Sequence, residues 1–254
     1  MRWPTKRVVA SMMGSLPGGG AVYGTPIHAF VSAPEILNFS SSINLKPTRH
    51  DIDLGGHLAF LINSVITDDE ADAIIAASEE FGFRQEAPGI STPPGMRMNK
   101  SVHWVADQLM LGPIMQRISP LLPKQINGAQ LHDQLSHRIN MYRYDNQDIF
   151  NQHVDGDWPG YGLNESRTQM TEWPILRSCL TMLLYLNGHE DGVQGGNTRL
   201  LSANGEWVDI APKKGAALFF RHGFGDESVS HIGARVLGET SKYVARINVM
   251  YKQE

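Results

Sequence analysis

The chain has 254 residues, 41% of them apolar and 19% charged, which is the composition of an ordinary globular protein and excludes a fibrous or wholly disordered one. Its 22 Lys and Arg against 26 Asp and Glu leave a formal charge of −4 with no basic block, so the electrostatic footprint of a dedicated nucleic-acid binder is missing. The single cysteine, Cys179, excludes an intrachain disulfide and cysteine-built zinc or iron-sulfur sites, and makes a reducing, cytoplasmic compartment the expectation.

Residues 8–34 carry no Lys, Arg, Asp or Glu, but Gly14, Pro17, Gly18, Gly19, Gly20, Gly24 and Pro26 interrupt them too often for a membrane-spanning helix. Residues 1–34 therefore read as a flexible N-terminal tail. An organelle-targeting segment is the alternative, because Arg2, Lys6 and Arg7 precede the first acid, Glu35. Residues 35–136 read as a helical supporting region, with a short strand at 57–62. In Thr67-Asp68-Asp69-Glu70 the threonine and the glutamate can satisfy each other's free backbone donors, which predicts a helix from there to Phe81. Ala71, Ile74, Ile75, Ser78 and Phe81 recur at three- and four-residue steps, so one face of it needs cover. A proline-rich loop follows at 87–95. A second helix is expected over 105–122, with Leu109, Met110, Ile114, Ile118 and Leu121 inward and an interruption near Pro113.

Beyond His137 the texture changes to short runs of β-branched, aromatic and aliphatic residues separated by Gly, Asn and Asp. These predict strands near 138–144, 149–155, 178–187, 197–202, 206–210, 216–222, 228–233 and 242–251. A mainly β protein follows, its core a double-stranded β-helix (jelly roll) of about eight strands over 137–254, with the N-terminal helices supporting it and 35–254 forming one unit. Residues 156–174 read as a long insertion, and 87–104 and 156–176 are the expected substrate-contacting loops.

The chemistry is concentrated at His153-Val154-Asp155, at the end of a predicted strand. Residues two apart on a strand share a face, so this imidazole and this carboxylate can converge on one point. Such a triplet recurs by chance, and two ligands hold a metal poorly. A further imidazole would complete the two-histidine, one-carboxylate set of non-haem Fe(II) oxygenases. His189 sits in a turn and His222 at a strand end, whereas His231 lies within a predicted strand and is preferred. Further on, alternation sets Lys242, Val244, Arg246, Asn248 and Met250 on one face. A cation buried there requires an anion, so either Lys242 or Arg246 could anchor a small dicarboxylate.

Taken in order, Arg143-Tyr144-Asp145, Phe150, His153, Asp155, the run Leu180 to Asn187, Gly195-Gly196-Asn197-Thr198, Gly215 to Phe220, His231, Gly233, Lys242 and Arg246 resemble the Fe(II)- and 2-oxoglutarate-dependent dioxygenases of the prolyl 4-hydroxylase type. The resemblance covers about 137–251, and more loosely the chain from about 57. It implies that His153, Asp155 and His231 hold Fe(II), and that Lys242, Tyr144 and Thr181 serve 2-oxoglutarate, with Arg246 as the reserve anchor. Lys242 falls eleven residues after His231, one more than the family's spacing, so a bulge or a different anchor stays open. Also implied are O2 as oxidant, ascorbate as reductant, and hydroxylation of an unidentified C–H position, in a prolyl or other amino-acid side chain or a small molecule, coupled to decarboxylation of 2-oxoglutarate to succinate. Arg97, Asn99, Trp158 and Trp173 are the polar and aromatic candidates for the substrate rim. The partner expected is a small-molecule or peptide substrate, with no dedicated nucleic-acid binding and no membrane. The competing reading is a non-catalytic jelly-roll module for binding or assembly.

Overall fold

The computed structural model describes residues 2–15, 22–85 and 87–252. In chain order the strands before the first helix are β1 (Lys6–Ser15), β2 (Val22–Phe30), β3 (Thr48–Asp51) and β4 (Ala59–Asn63). Helix α1 (Asp68–Phe81), strand β5 (Lys100–Val105) and helix α2 (Gln108–Ile118) follow. The remainder is β6 (Gln125–Ile126), β7 (Ala129–Leu135), β8 (Arg138–Tyr144), β9 (Phe150–His153), β10 (Pro159–Leu163), β11 (Met170–Tyr185), β12 (Gln194–Gly195), β13 (Thr198–Leu201), β14 (Trp207–Ile210), β15 (Ala217–Arg221), β16 (His231–Gly233), β17 (Val236–Leu237) and β18 (Lys242–Lys252). Among the described residues no helix is long and apolar enough to cross a membrane.

The protein is mainly β, with a jelly-roll core. A major sheet runs β1-β2-β5-β8-β18-β11-β15-β4-β3, and a minor sheet, β14-β13-β16-β9, faces it. Alternation along the central strands feeds two separate interiors. On β11, Leu180, Met182 and Leu184 join Ala217 and Phe219 of β15 in the cluster under α1 and α2. Leu183 and Tyr185, with Leu218 and Phe220, point the other way and pack between the two sheets with Leu200 of β13. That second face also carries the polar side chains of the site.

Helix α1 begins as expected, with Thr67 and Glu70 forming a reciprocal capping box. Glu70 does more than cap. Arg117 of α2 donates to both of its carboxylate oxygens, at 2.7 and 2.8 Å, and the pair is buried. The helix start is thus bolted to its neighbour. In α2 the inward set is Met110, Leu111, Ile114, Met115 and Ile118, while Leu109 is exposed, because the helix starts at Gln108, capped by Asp107, and not at 105. Pro113 lies within the helix.

Three expectations fail. The described part of 1–34 is not a flexible tail: β1 and β2 form an antiparallel hairpin at the edge of the major sheet. Trp3 stacks on Phe30, which packs against Phe81 of α1, and Val9, Ile27 and Ala29 bury against Val105. Residues 16–21, the glycine-rich run, lie outside the described residues. The insertion at 156–174 and the loop at 87–104 each contain strand. In the first, β10 pairs with β11, and Gly160 and Gly162 leave room for the Trp173 ring lying on them. In the second, β5 pairs with β8 across six residues.

Glu70→Ala should leave the Arg117 guanidinium buried without its anion and remove half of the helix cap. The expected cost is about 3 kcal/mol, seen as a lower urea midpoint at unchanged slope.

Candidate active site

Strands β9 and β16 pair with His153 directly opposite His231, and Asp155 follows two residues after the end of β9. The three side chains offer ligand atoms that all lie within 4.8 Å of one another. Each imidazole is held by one nitrogen. His153 Nδ1–H donates to the Asn151 carbonyl at 2.7 Å, and His231 Nδ1–H to the Val229 carbonyl at 3.2 Å. A carbonyl can only accept, so these bonds fix the tautomer and leave each Nε2 with its lone pair free. Those Nε2 atoms stand 3.9 and 3.8 Å from the Asp155 carboxylate. Burial lowers both imidazoles, His153 to about 3, so they are neutral ligands at ordinary pH. The His153 ring is clamped by stacking on Phe150, centroids 3.7 Å apart, and the His231 ring lies against Phe220.

Asp155 is buried, which by itself would raise its pKa, but Arg246 and the neighbouring imidazoles hold the carboxyl well below the usual carboxylate range. One of its oxygens is fully committed: Oδ2 accepts from Arg246 Nε at 2.9 Å and from the Thr181 hydroxyl at 2.7 Å. Thr181 is therefore behind the carboxylate and does not line the cosubstrate cavity, contrary to expectation. Its hydroxyl proton is spent on Asp155, so the 2.7 Å contact with His222 must be donated by His222 Nδ1–H. His222 Nε2 then accepts from Ser178 Oγ at 2.8 Å, and Ser178 accepts from the Trp158 backbone N–H at 2.8 Å. Every donor in this buried chain has one acceptor. Sequence reasoning weighed His222 only as a ligand. The available signal was the pair of polar residues, Ser178 and Thr181, in an apolar strand, since buried hydroxyls demand partners.

The cavity beside the three residues is lined by Tyr144, Phe150, Gly233, Val244, Lys242 and Arg246, among others. The two basic side chains play different parts. Arg246 is paired with Asp155, whereas Lys242 meets no acid among the described residues: its Nζ donates to the Gly196 carbonyl at 2.5 Å and lies 5.2 Å from the centroid of the Tyr144 ring. Burial without a counter-charge pushes its amine down to about 7. A Cβ on Gly233 would stand 3.0 Å from the Tyr144 hydroxyl, so glycine there keeps that hydroxyl free to point into the cavity. From Lys242 to Arg246, β18 pairs with β8 without a register break, whereas the pairing of β16 with β9 has an irregularity between His231 and Gly233. Of the substrate-rim candidates, Trp158 lines a second cavity that opens from the first, while Arg97 is buried over the Tyr142 and Phe150 rings. Asn99 accepts weakly from Arg97 Nε at 3.4 Å. Trp173 packs against His132 and His137 and lines neither cavity. His189 donates to the Gly195 carbonyl and stands apart from the three residues.

No family model matches the sequence, and no curated protein matches it. Solved structures do. A viral collagen prolyl hydroxylase from Paramecium Bursaria Chlorella virus-1, in its 2OG complex, superposes with a TM-score of 0.52 at 19% identity, over 78% of this chain and 98% of that one. The chain has the fold of the prolyl hydroxylases. A prolyl hydroxylase from Trichoplax adhaerens, in complex with a hypoxia inducible factor oxygen degradation domain peptide fragment, gives the same TM-score of 0.52 at 16% identity, over 78% of this chain and 85% of that one.

Thr181→Val keeps the shape but removes the donor to Asp155 and strands His222 Nδ1–H. Manganese(II) affinity, measured by calorimetry, should fall about 10- to 100-fold. An unchanged dissociation constant would remove the chain of hydrogen bonds from any role in orienting the carboxylate.

Proposed function

We propose that this protein is an Fe(II)- and 2-oxoglutarate-dependent dioxygenase that hydroxylates a C–H position of a small-molecule or peptide substrate. The observation that carries the reading is the convergence of two neutral imidazoles and one ionised carboxylate on a cavity whose wall holds a buried lysine without an acid. His153, Asp155 and His231 form the donor set that suits Fe(II), and three protein ligands on one side leave positions for a cosubstrate. Bound there with 2-oxoglutarate and O2, the metal supplies oxidising power for hydroxylation, with succinate and carbon dioxide as the other products. The 2OG of the viral enzyme's complex and the peptide of the Trichoplax complex support the choice of cosubstrate and of substrate range.

The side chains divide the work as follows. The carbonyls of Asn151 and Val229 keep both Nε2 atoms presented as ligands, so no reorganisation is needed on binding. Thr181 and Arg246 hold Asp155 Oδ2 and so fix the carboxylate, with Oδ1 3.9 Å from His153 Nε2 and Oδ2 3.8 Å from His231 Nε2. Lys242 receives the distal carboxylate of 2-oxoglutarate, which supplies the anion its burial lacks. The Tyr144 phenol, kept protonated because burial pushes its pKa up, donates a hydrogen bond to the cosubstrate. Arg246, already paired with Asp155, is not the anchor. Phe150, Leu183 and Val244 keep the cavity dry around these groups.

Under anaerobic conditions Fe(II) and 2-oxoglutarate should together give a weak visible charge-transfer band, absent in His153→Ala and His231→Ala. No band in the unaltered protein with adequate iron, and no succinate in air, would end the oxygenase reading and leave the binding module. Lys242→Ala should raise the half-saturating 2-oxoglutarate concentration by tenfold or more.

The pH dependence follows from the same lysine. Its amine titrates near 7 in the ligand-free pocket, and pairing with a carboxylate must raise that value, so binding takes up a proton above pH 7. Affinity for 2-oxoglutarate should be flat below about pH 7 and weaken toward tenfold per pH unit above it. Titrations of the charge-transfer band across pH 6 to 9 would check this, and a slope that survives in Lys242→Ala would assign it to another group.

A further inference from the structure

Building on the oxygenase reading, we propose that the substrate bears an anionic group, a carboxylate on an otherwise apolar body, which enters the second cavity and is received by Arg246. The cavity of about 240 Å³ between the 90–96 segment and Trp158 shares His153, Asp155, Phe150 and Arg246 with the metal-side cavity, so a molecule in it reaches the reacting centre. Ile90, Pro93, Met96 and Val154 make most of the remaining wall apolar.

Charge around that wall is unbalanced. Arg97, Arg138 and Arg246 are all buried, and Asp155 is the one acid that any of them meets among the described residues. Arg246 takes it. Arg138 donates to neutral acceptors, among them the Pro88 carbonyl at 2.8 Å, His103 Nδ1 at 3.1 Å, the Met12 sulfur at 3.0 Å and the Tyr161 hydroxyl. Arg97 has only Asn99. Two guanidinium charges therefore remain without an anion among the described residues, a costly arrangement that a bound anion relieves. Burial also lowers Arg138 to about 10, as expected for a cation with no counter-charge.

Several of the unpaired donors fall in one zone. Arg246 Nη2, both Nη atoms of Arg97, Arg138 Nε and His103 Nε2 are buried with no partner. His103 Nε2 is a donor because its Nδ1 accepts from Arg138. Register explains the clustering: His103 on β5, Asn140 on β8 and Arg246 on β18 form one cross-strand row, and Arg138 stands two residues from Asn140 on the same face. Of the other two cations, Arg97 lies over the rings of Tyr142 and Phe150 and Arg138 over that of Trp158, and all three rings line the cavity. Arg246 reaches the cavity itself, while the cations behind the rings make its interior positive. The carboxylates of 2-oxoglutarate are accounted for by Lys242 and the metal side, so they do not satisfy this belt.

The test is a screen of protein loaded with Fe(II) and 2-oxoglutarate against apolar carboxylic acids, N-acyl amino acids among them, each beside its primary amide and beside a phosphate monoester of matching chain. Succinate release is followed. Acids should act at concentrations at least tenfold below their amides, with the preference shrinking as salt is raised. Amides that match or exceed their acids across the panel would overturn the proposal, and phosphates that outperform the acids would overturn the choice of carboxylate. Arg138→Gln should raise the half-saturating concentration of the best acid tenfold or more while shifting its amide less than twofold, with Arg138→Lys recovering part of the loss; equal shifts in both would count against the belt. The anaerobic charge-transfer band is recorded on the same samples. A missing band marks failure of the oxygenase reading, whereas a normal band without preference for anions marks failure of this inference alone.

Discussion

The pairing of β9 with β16 is the constraint on which the site depends. It sets His153 opposite His231, with the two rings at a centroid separation of 4.1 Å. Strand pairing is rigid in register because a slip of one residue would turn each imidazole to the other face. On this short minor sheet the rigidity comes from both sides: Phe150 stacks on one ring, Phe220 supports the other, and the carbonyls of Asn151 and Val229 grip the two Nδ1 atoms. A ligand set positioned by backbone bonds holds its shape before any metal arrives.

The major sheet supplies the opposite wall by keeping its two faces chemically distinct. Along β18, Ala245, Ile247 and Val249 belong to the apolar core beneath the helices, while Lys242, Arg246 and Asn248 turn to the site. Buried charge of this kind is destabilising unless compensated, so the apolar side must carry the stability that the polar side gives up. The two helices, locked by Glu70 and Arg117, cover that apolar side. Scaffold and site are thus the two faces of the same strands.

Local signals were legible in the sequence, and partnerships between distant segments mostly were not. The capping box at Thr67, the period of α1 and the alternation that separates Lys242 and Arg246 from Ala245 and Ile247 all depend on neighbours in the chain. The hairpin of β1 and β2 escaped because its burial comes from Phe81 and Val105, far along the sequence, and because glycines interrupt its pattern. Strand β5 escaped for a different reason: nearly all of Lys100–Val105 is buried, so Ser101 and His103 look like surface positions in a text that assumes one wet face. Thr181 was read as a pocket residue since a sequence gives its face but not its partner, and the partner is the carboxylate itself.

The anchoring of Asp155 also explains how one carboxylate serves a metal without closing its open side. An acid with both oxygens free can chelate and take two positions. Here Oδ2 already accepts two hydrogen bonds, from Thr181 and Arg246, while Oδ1 accepts none among the described residues. A carboxylate held this way would offer a metal chiefly Oδ1, leaving room for other ligands in the proposed site. The positive charge of Arg246 then has two consequences. It keeps the carboxylate ionised, and through its unpaired Nη2 it carries the influence of Asp155's surroundings to the cavity next door. Removal of that guanidinium would therefore alter the ligand and the substrate side together, whereas Arg138, which touches neither Asp155 nor the imidazoles, separates the two roles.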